Sequence, residues 1–232
     1  NPEIVMIYYN YDSFKNNPNA RSILKYFDKK FSFDKKDAIE YKINFRPLFF
    51  SNEYEEIRNF QANSQFESMF IGTAHTDRYL ISEKVKSWCD SNNFRSFAYY
   101  YSPSKYVFHF KRIFDKTFKK FDIKKISFRS LEHAEIIELY KKSKAVLDIN
   151  HPFQTGLTMR TFEALGAGRK LITTNAQVMD YPFFDPENIL VIDRNNIVLN
   201  SAFLQTNFKA ISNETIFLMS LDGWIDCLFN KE

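Results

Sequence analysis

One segment constrains the fold of this chain more than any other, because in it a loop, a short helix, a tight turn and a strand follow one another without interruption. Residues 156–175 read GLTMRTFEALGAGRKLITTN, with Gly156 in the loop, glycines at both ends of the turn 166–168, and a strand pattern over 171–174. A helix that begins after a flexible loop presents unpaired N–H groups and the positive end of its dipole, and such an end suits a phosphate. The segment therefore predicts a phosphate-binding helix followed at once by a strand.

Two charged side chains of this helix suit a nucleotide that carries a sugar. Arg160 lies in the first turn and Glu163 about one turn later, on the same side of the helix. A guanidinium matches phosphate oxygens, and a carboxylate one turn deeper can accept hydrogen bonds from ribose hydroxyls. We predict that the helix start at Thr158 and Met159, together with Arg160, holds a diphosphate and that Glu163 holds the ribose. The alternative is an exposed Arg–Glu pair on an ordinary amphipathic helix.

Strand-like and helix-like segments alternate along most of the chain, which is typical of an α/β fold with a parallel sheet. The predicted strands are 4–9, 30–33, 45–50, 68–71, 94–101, 124–128, 145–149, 171–174 and 189–192. The predicted helices are 20–27, 35–41, 77–91, 105–114, 133–143, 159–165 and 214–229. The polar stretch 51–67 interrupts this alternation, so we interpret it as a linker that can contain a helical turn.

Composition and motifs narrow the class of ligand. The net charge of +4 and the pI near 8.8 suit a phosphate-bearing ligand or an anionic surface and do not demand a nucleic acid. Cys89 and Cys227 have neither metal-ligand spacing nor a disulfide framework, and the sequence carries no phosphate-binding Walker loop and no Asp-x-Asp motif. No run reaches the roughly 18 apolar residues of a membrane span. We therefore expect no metal, no cofactor and no nucleic-acid partner.

The residues from Gly156 to Gly168, with the strand that follows, resemble the nucleotide-sugar site of GT-B glycosyltransferases, and the similarity extends over roughly 124–194. The resemblance is greatest to bacterial transferases that build capsule and lipopolysaccharide sugars. It implies a Rossmann-like parallel sheet flanked by helices, as in a GT-B C-terminal domain preceded by part of an N-terminal domain. It also implies metal-independent transfer of a sugar from a nucleotide-diphosphate sugar to a growing surface glycan.

The same resemblance implies how the chain is divided. Residues 1–65 would be the remainder of a first, acceptor-side domain with its linker. Either the rest of that domain has been removed, which we favour, or this member has an unusually reduced first domain. Residues 66–213 would be the nucleotide-sugar-binding domain, and 214–232 a helix that reaches back to the first domain. One position departs from the family pattern, because many retaining members carry a second Glu eight residues before the one at 163, and this chain has Thr155 there.

Further candidates follow the predicted strands, whose carboxyl ends face the ligand crevice in open α/β sheets. Several of these have equally simple structural explanations: a helix cap for Ser130, a turn cap for Asp12 and a surface position for His75. The residues that we predict to bind the nucleotide sugar are Gly72, Thr73, Arg78, Ser130, His151, Gln154, Thr155, Gly156, Leu157, Thr158, Met159, Arg160 and Glu163. The two catalytic candidates are Asp12 and His75.

The segment 107–125 is both basic and aromatic. Its apolar side chains recur at spacings of three and four, a helical stripe. The stripe consists of Val107, Phe110, Phe114, Phe118 and Phe121. One interpretation is an interfacial helix that touches anionic lipid and serves a lipid-linked acceptor at the inner face of the membrane. The simpler interpretation, which we favour, is a core-facing stripe with a solvated basic face.

Two other functions remain open at this point. The chain could be a non-catalytic domain of the same fold that binds a nucleotide or a glycan, or a basic peripheral module for membranes or nucleic acids. The resemblance favours a glycosyltransferase, whose partners would be a nucleotide-sugar donor and a glycan or lipid-linked glycan acceptor. The two cysteines, without a disulfide framework, favour a cytoplasmic setting.

Overall fold

The computed structural model describes residues 4–60, 64–74, 77–152 and 154–230, and within them all strands pair in parallel. The strands are β1 Ile7–Asn10, β2 Lys29–Ser32, β3 Asn44–Phe45, β4 Phe66–Thr73, β5 Ser96–Tyr101, β6 Ile126–Ser127, β7 Ser143–Asp148, β8 Lys170–Thr173 and β9 Ile189–Val191. They form a three-stranded sheet in the order β1-β2-β3 and a six-stranded sheet in the order β6-β5-β4-β7-β8-β9.

Helices connect most of these strands and cover the larger sheet. They are α1 Ala20–Ile23, α2 Lys35–Tyr41, α3 Asn52–Glu56, α4 Arg78–Ser91, α5 Lys105–Phe114, α6 Lys116–Lys119, α7 His133–Lys141, α8 Met159–Gly166, α9 Ser201–Gln205, α10 Asn213–Met219 and α11 Leu221–Phe229. Short 3-10 turns occur at Leu24–Tyr26, Ile123–Lys125 and Ala176–Asp180. The prediction of a Rossmann-like α/β fold, a parallel sheet flanked by helices, is confirmed.

Two hydrophobic cores lie on opposite faces of the six-stranded sheet. On one face, residues of β4 and β7 such as Met69 and Val146 pack with Phe162 of α8. Phe33 and Phe50, from the segment before β4 (residues 4–60, here called the N-terminal part), belong to the same core. On the other face, β5 and β7 pack with Val85 of α4 and the aromatic side chains of α5 and its neighbours. A sheet buried on both faces favours strands with consecutive apolar residues, as at 145–147 in β7.

The turn after α8 explains its small residues. Gly168 adopts a left-handed conformation with φ of 65°. A Cβ at Gly168 would lie 2.9 Å from the carbonyl oxygen of Arg58, so both the backbone angle and the space require glycine. The chain then enters β8 at Lys170. This loop–helix–turn–strand order is the one predicted for 156–174.

Three predicted elements are corrected. The strand predicted at 45–50 is only Asn44–Phe45, and the one at 124–128 is a 3-10 turn followed by Ile126–Ser127. The helix predicted at 214–229 is two helices, because Ser220 between them is extended. Around Ser220 the backbone pairs with a distant segment, since Phe50 N donates to Met219 O (3.0 Å) and Leu221 N to Phe50 O (2.9 Å).

Helix α11 packs against the three-stranded sheet. The ring of Trp224 lies 4.8 Å from that of Tyr9 and 4.8 Å from that of Phe49, measured between centroids. Lys29 Nζ of β2 donates to the carbonyl oxygen of Leu228 (3.3 Å). The division into 1–65, 66–213 and 214–232 stays a prediction. Among the described helices, none combines the length and apolar character needed to cross a bilayer.

Candidate functional site

The strand order locates the point at which a ligand is expected. From β4 the chain moves outward through β5 and β6, and from β7 it moves outward in the opposite direction through β8 and β9. Open α/β sheets bind ligands at the carboxyl ends of the two strands where the order reverses. A cleft of about 210 Å³ lies at this place. Its lining residues are Phe70, Arg78, Asp148, Ile149, Thr158, Met159, Arg160 and Glu163.

The N-terminus of α8 forms one wall of the cleft. Thr158 is the extended N-cap residue, but its side chain makes no capping bond to the first turn of the helix. Its hydroxyl instead donates to Asp148 Oδ2 (2.8 Å), which also accepts from the hydroxyl of Thr161 (3.2 Å). The Thr158 side chain thus leaves the first-turn N–H groups of α8 uncapped, and this N-terminus faces the cleft beside Met159 and the carboxylate of Asp148.

Two arginines converge on the same cleft from different elements. Arg160 Nη1 of α8 donates to the carbonyl oxygen of Ile71 in β4, which uses one of its five N–H donors. Arg78 at the start of α4 donates from Nε to Ile149 O (2.8 Å) and from Nη1 to Thr73 Oγ1 (3.4 Å). Burial lowers the pKa of Arg78, although the nearby Asp148 opposes that change. Both side chains are therefore fixed by the backbone at the ends of β4 and β7.

Glu163 lies one turn deeper and is held by a tyrosine. The hydroxyl of Tyr140 donates to Glu163 Oε2 (3.1 Å). Tyr140 is fully buried, and this burial raises its pKa well above the ordinary value. The phenol consequently stays protonated and remains a donor at neutral pH. The carboxylate is oriented from beneath by a rigid side chain, which is the arrangement that precise recognition of hydroxyl groups requires.

The loop before α8 makes a different set of contacts. Thr155 Oγ1 (2.5 Å) and Gly156 N (3.0 Å) both donate to Asp34 Oδ2, at the start of α2. A Cβ on Gly156 would lie 2.5 Å from the ring of Phe33, so glycine is required here by packing with the N-terminal part. Leu157 is 1% exposed and belongs to the core, so its side chain does not line the cleft.

Gln154 and His151 lie in the same loop. Gln154 Nε2 donates to Gly156 O (3.1 Å), and Asn150 Nδ2 donates to Gln154 O (2.9 Å). His151 is half-buried, and its carbonyl oxygen accepts from Gln154 N (2.9 Å). These bonds fold the loop on itself beside the cleft.

Gly72 and Thr73 end β4, and neither is among the residues that line the cleft. A Cβ on Gly72 would lie 2.7 Å from the ring of Phe70, so packing also accounts for this glycine. The side chain of Thr73 is in contact with Arg78, as given above. His75 lies outside the described residues.

Asp12 and Ser130 do not line the cleft. Asp12 is exposed, and its Oδ1 accepts from Ser13 N (2.8 Å) and Asn16 Nδ2 (2.9 Å), so it caps its own turn. Ser130 is exposed and does not cap α7, contrary to the structural alternative considered for it. That helix begins after Glu132, whose backbone N–H donates to Glu135 Oε2 (2.9 Å).

Three residues that the sequence did not single out organise this region. Asp148 orients Thr158 and Thr161 at the start of α8, and Asp34 holds the loop at Thr155. Arg194 joins three segments, because it pairs with Asp77 Oδ2 (2.6 Å) and donates to Asn150 O (2.8 Å). The only local signal for Asp148 was a carboxylate at the end of a buried strand, and Arg194 similarly follows β9. No group of three or more His, Cys, Asp or Glu side chains within the described ranges could hold a metal ion.

Comparisons with known proteins define the class. A family model described as glycosyl transferase-like matches residues 87–207, just over half of the chain, and the chain belongs to this family. The matched region contains α8 and most of the cleft.

Among solved structures, the chain is similar to a Listeria monocytogenes protein whose structure is described as that of a UDP-N-acetylglucosamine 2-epimerase. The two share 11% sequence identity at a TM-score of 0.38, and the alignment covers 94% of this chain. The chain spans 57% of the length of that protein. No curated protein sequence matches this one.

Proposed function

We propose that this chain is a metal-independent glycosyltransferase of the GT-B type that binds a nucleoside-diphosphate sugar in the cleft between β4 and β7. The observation that carries the proposal is the combination of an uncapped N-terminus of α8, two converging arginines and a carboxylate one turn deeper. Diphosphate oxygens match the guanidinium groups of Arg78 and Arg160. Ribose hydroxyls match Glu163, which Tyr140 orients.

The protein must stabilise the negative charge that develops on the departing diphosphate. When the bond between the sugar and the phosphate breaks, negative charge increases on the leaving oxygen. In this proposal the N-terminus of α8 and the charge of Arg160 face the diphosphate before the reaction, so they would act without reorganising during it. A cationic helix terminus of this kind supplies what a divalent metal supplies elsewhere, so we expect transfer to continue in EDTA.

The acceptor that we propose is a growing surface glycan, of capsule or lipopolysaccharide, carried on a lipid at the cytoplasmic face of the membrane. The basic charge of the chain and the exposed aromatic side chains in 107–125 support a membrane-bound acceptor. In this arrangement the chain contacts the membrane peripherally through that segment.

A second function is a non-catalytic domain of the same fold that binds nucleotide or glycan. One observation favours it. The carboxylate considered for catalysis, Asp12, caps its own turn and does not line the cleft, and the hydroxyl of Thr155 is already bonded to Asp34. Binding without turnover is the outcome that would select this alternative.

The test measures binding and turnover separately. Inorganic pyrophosphate and a panel of nucleoside diphosphates are titrated calorimetrically into the wild-type protein and into Arg160→Ala, Glu163→Gln and the control Arg95→Ala. We expect Arg160→Ala to weaken both probes by about 1–3 kcal/mol, the loss typical of a charge-assisted hydrogen bond. Glu163→Gln should weaken the nucleoside diphosphates more than pyrophosphate, because only the nucleosides carry a ribose.

Turnover is followed as release of nucleoside diphosphate from nucleotide sugars, with and without EDTA. Affinities that are unchanged in both folded cleft variants would contradict the donor site. Loss of turnover in EDTA that Mn²⁺ or Mg²⁺ restores would contradict metal independence and leave the binding site intact.

A further inference from the structure

Helix α5 carries apolar side chains on two opposite sides. Phe108 is fully buried and belongs to the core beneath the helix. On the other side lies a second apolar surface, here called the outer face of α5. Its members and their exposed fractions are Tyr106 (88%), Val107 (49%), Phe110 (63%), Ile113 (64%) and Phe114 (73%). Their spacing of three, four and seven residues places them on one continuous side of the helix.

This arrangement corrects the favoured interpretation of the segment. The stripe predicted from the sequence was expected to face the core as a whole. Only Phe118 and Phe121, which follow α5, are buried, whereas Val107, Phe110 and Phe114 are exposed. The rings of Phe110 and Phe114 lie 5.0 Å apart between centroids and pack against each other in solvent. Such a contiguous exposed patch normally marks a site of interaction.

Basic residues surround the outer face. Between 105 and 125 the sequence has eight Lys or Arg and two Asp, a net charge of +6 in a chain whose total is +4. Lys105 lies beside the outer face on one edge of α5, and Lys111 lies on the other. Lys116, Lys119 and Lys120 follow at once and are exposed. Lys125, farther along, is paired with Glu83.

The positive charge around the outer face of α5 favours an anionic membrane over a second copy of the chain as its partner. Pairing with a second copy of the chain would bring two basic segments together, and repulsion of like charges opposes that association. An anionic bilayer offers the opposite combination, because apolar side chains enter the boundary between headgroups and acyl chains while flanking lysines contact lipid phosphates. Tyrosine and phenylalanine beside lysine suit that boundary.

We propose that the outer face of α5 inserts into the surface of an anionic membrane and that the lysines from 105 to 120 contact its phosphates. The proposal names the surface and the lipid charge that a peripheral contact would use. It details the peripheral contact named under the proposed function, and its failure would remove that contact while leaving the proposed donor site intact.

The test is co-sedimentation of the full chain with vesicles. One set is phosphatidylcholine alone, and the other is phosphatidylcholine and phosphatidylglycerol at about seven to three, a content chosen to give a strong negative surface potential. We expect binding to the anionic vesicles, a decrease in high salt, and much weaker binding to phosphatidylcholine. As a second readout, Ile113→Trp should show a blue shift of its emission only with anionic vesicles.

Two variants separate the apolar and the charged contributions. The double substitution Phe110→Ser with Phe114→Ser should reduce partitioning about tenfold or more, because two rings lose their apolar contact. The triple substitution Lys116→Gln, Lys119→Gln and Lys120→Gln should reduce it about fivefold for each lysine that reaches the surface. The matched control is Phe229→Ser, since Phe229 is 64% exposed, as Phe110 is 63% exposed, and lies outside this segment.

Because all the substituted side chains are exposed, circular dichroism and the melting temperature should stay unchanged. Equal binding by the wild type and the Phe110/Phe114 variant would overturn the proposal, as would equal binding to neutral and anionic vesicles. Self-association that this double variant abolishes, with no binding to either vesicle, would also overturn it and would assign the face to a protein contact.

Discussion

Asp34 and Thr155 provide the sharpest test of how the N-terminal part is joined to the loop before α8. Asp34 is 2% exposed. Its Oδ1 caps α2 by accepting from Lys36 N (2.9 Å), and its Oδ2 accepts from Thr155 and Gly156, which are 121 and 122 residues away in sequence. One carboxylate thus satisfies a helix cap with one oxygen and a distant loop with the other.

The expected magnitudes follow from these bonds. Thr155→Val removes one hydrogen bond to a charged acceptor at nearly constant volume, and it should lower the free energy of unfolding by about 1.5–3 kcal/mol. Asp34→Asn keeps an oxygen for the cap but turns an N–H group toward the loop, so the buried N–H of Gly156 loses its acceptor. That variant should lose about 2–4 kcal/mol, from an unsatisfied donor and a weakened bond to Thr155.

The two changes should not add. In the double variant the Thr155 hydroxyl that bonds to Asp34 is already absent. The loss in the free energy of unfolding should therefore be smaller than the sum of the two single losses by about 1–2 kcal/mol. The free energy of unfolding of each variant is measured by urea unfolding at neutral pH, monitored by far-UV circular dichroism. The control cycle pairs Asp34→Asn with Thr215→Val, whose hydroxyl bonds to Ser212 within its own helix cap, and should be additive. If the Asp34–Thr155 cycle is also additive within about 0.5 kcal/mol, the argument that these bonds join the two parts fails.

Three further predictions concern single positions. Gly168→Ala should lower the free energy of unfolding by about 1–3 kcal/mol. The backbone holds this residue at a positive φ that is unfavourable for alanine, and the new Cβ would lie close to the carbonyl oxygen of Arg58; unchanged stability in urea would contradict this. Burial raises the pKa of the Cys89 thiol to about 11, so only the exposed Cys227 should react rapidly with iodoacetamide near neutral pH, and rapid labelling of both in the folded protein would refute the burial. The pKa of the Cys89 thiol in the folded protein exceeds the reference value of 9.0. The contribution of this thiol to the free energy of unfolding is therefore fully present below pH 9.0 and is lost as the pH rises toward 11. Tyr140→Phe should weaken nucleoside diphosphates by about 1 kcal/mol and pyrophosphate by less, because the phenol donates to Glu163 and also interacts with Arg160; equal losses for both probes in calorimetry would exclude the role in orienting Glu163.

The parts of the fold that the sequence predicted well are those fixed by nearby residues. The bounds of α2 and α5 match the predicted 35–41 and 105–114 because each helix is capped by the side chain just before it, Asp34 and Ser104. The segment around α8 was also predictable, since its loop, turn and strand signals are contiguous. The binding roles assigned there stay predictions.

What the sequence could not predict depends on distant partners. The strand expected at 45–50 is short because the backbone of Phe50 forms its hydrogen bonds with Met219 and Leu221 instead. The same contact interrupts the helix expected at 214–229. Asp34 was not recognised as a partner of Thr155 for the same reason. In α5, periodicity revealed apolar positions but not which of them other elements would cover.

The position of α11 has a consequence for the order in which the molecule is completed. Trp224 of α11 packs on Tyr9 and Phe49 of the three-stranded sheet, and Lys29 bonds to the end of that helix. A ribosome makes all six strands from β4 to β9 between that sheet and α11. The sheet that emerges first is therefore covered last, and its aromatic side chains stay accessible to chaperones while the larger sheet closes.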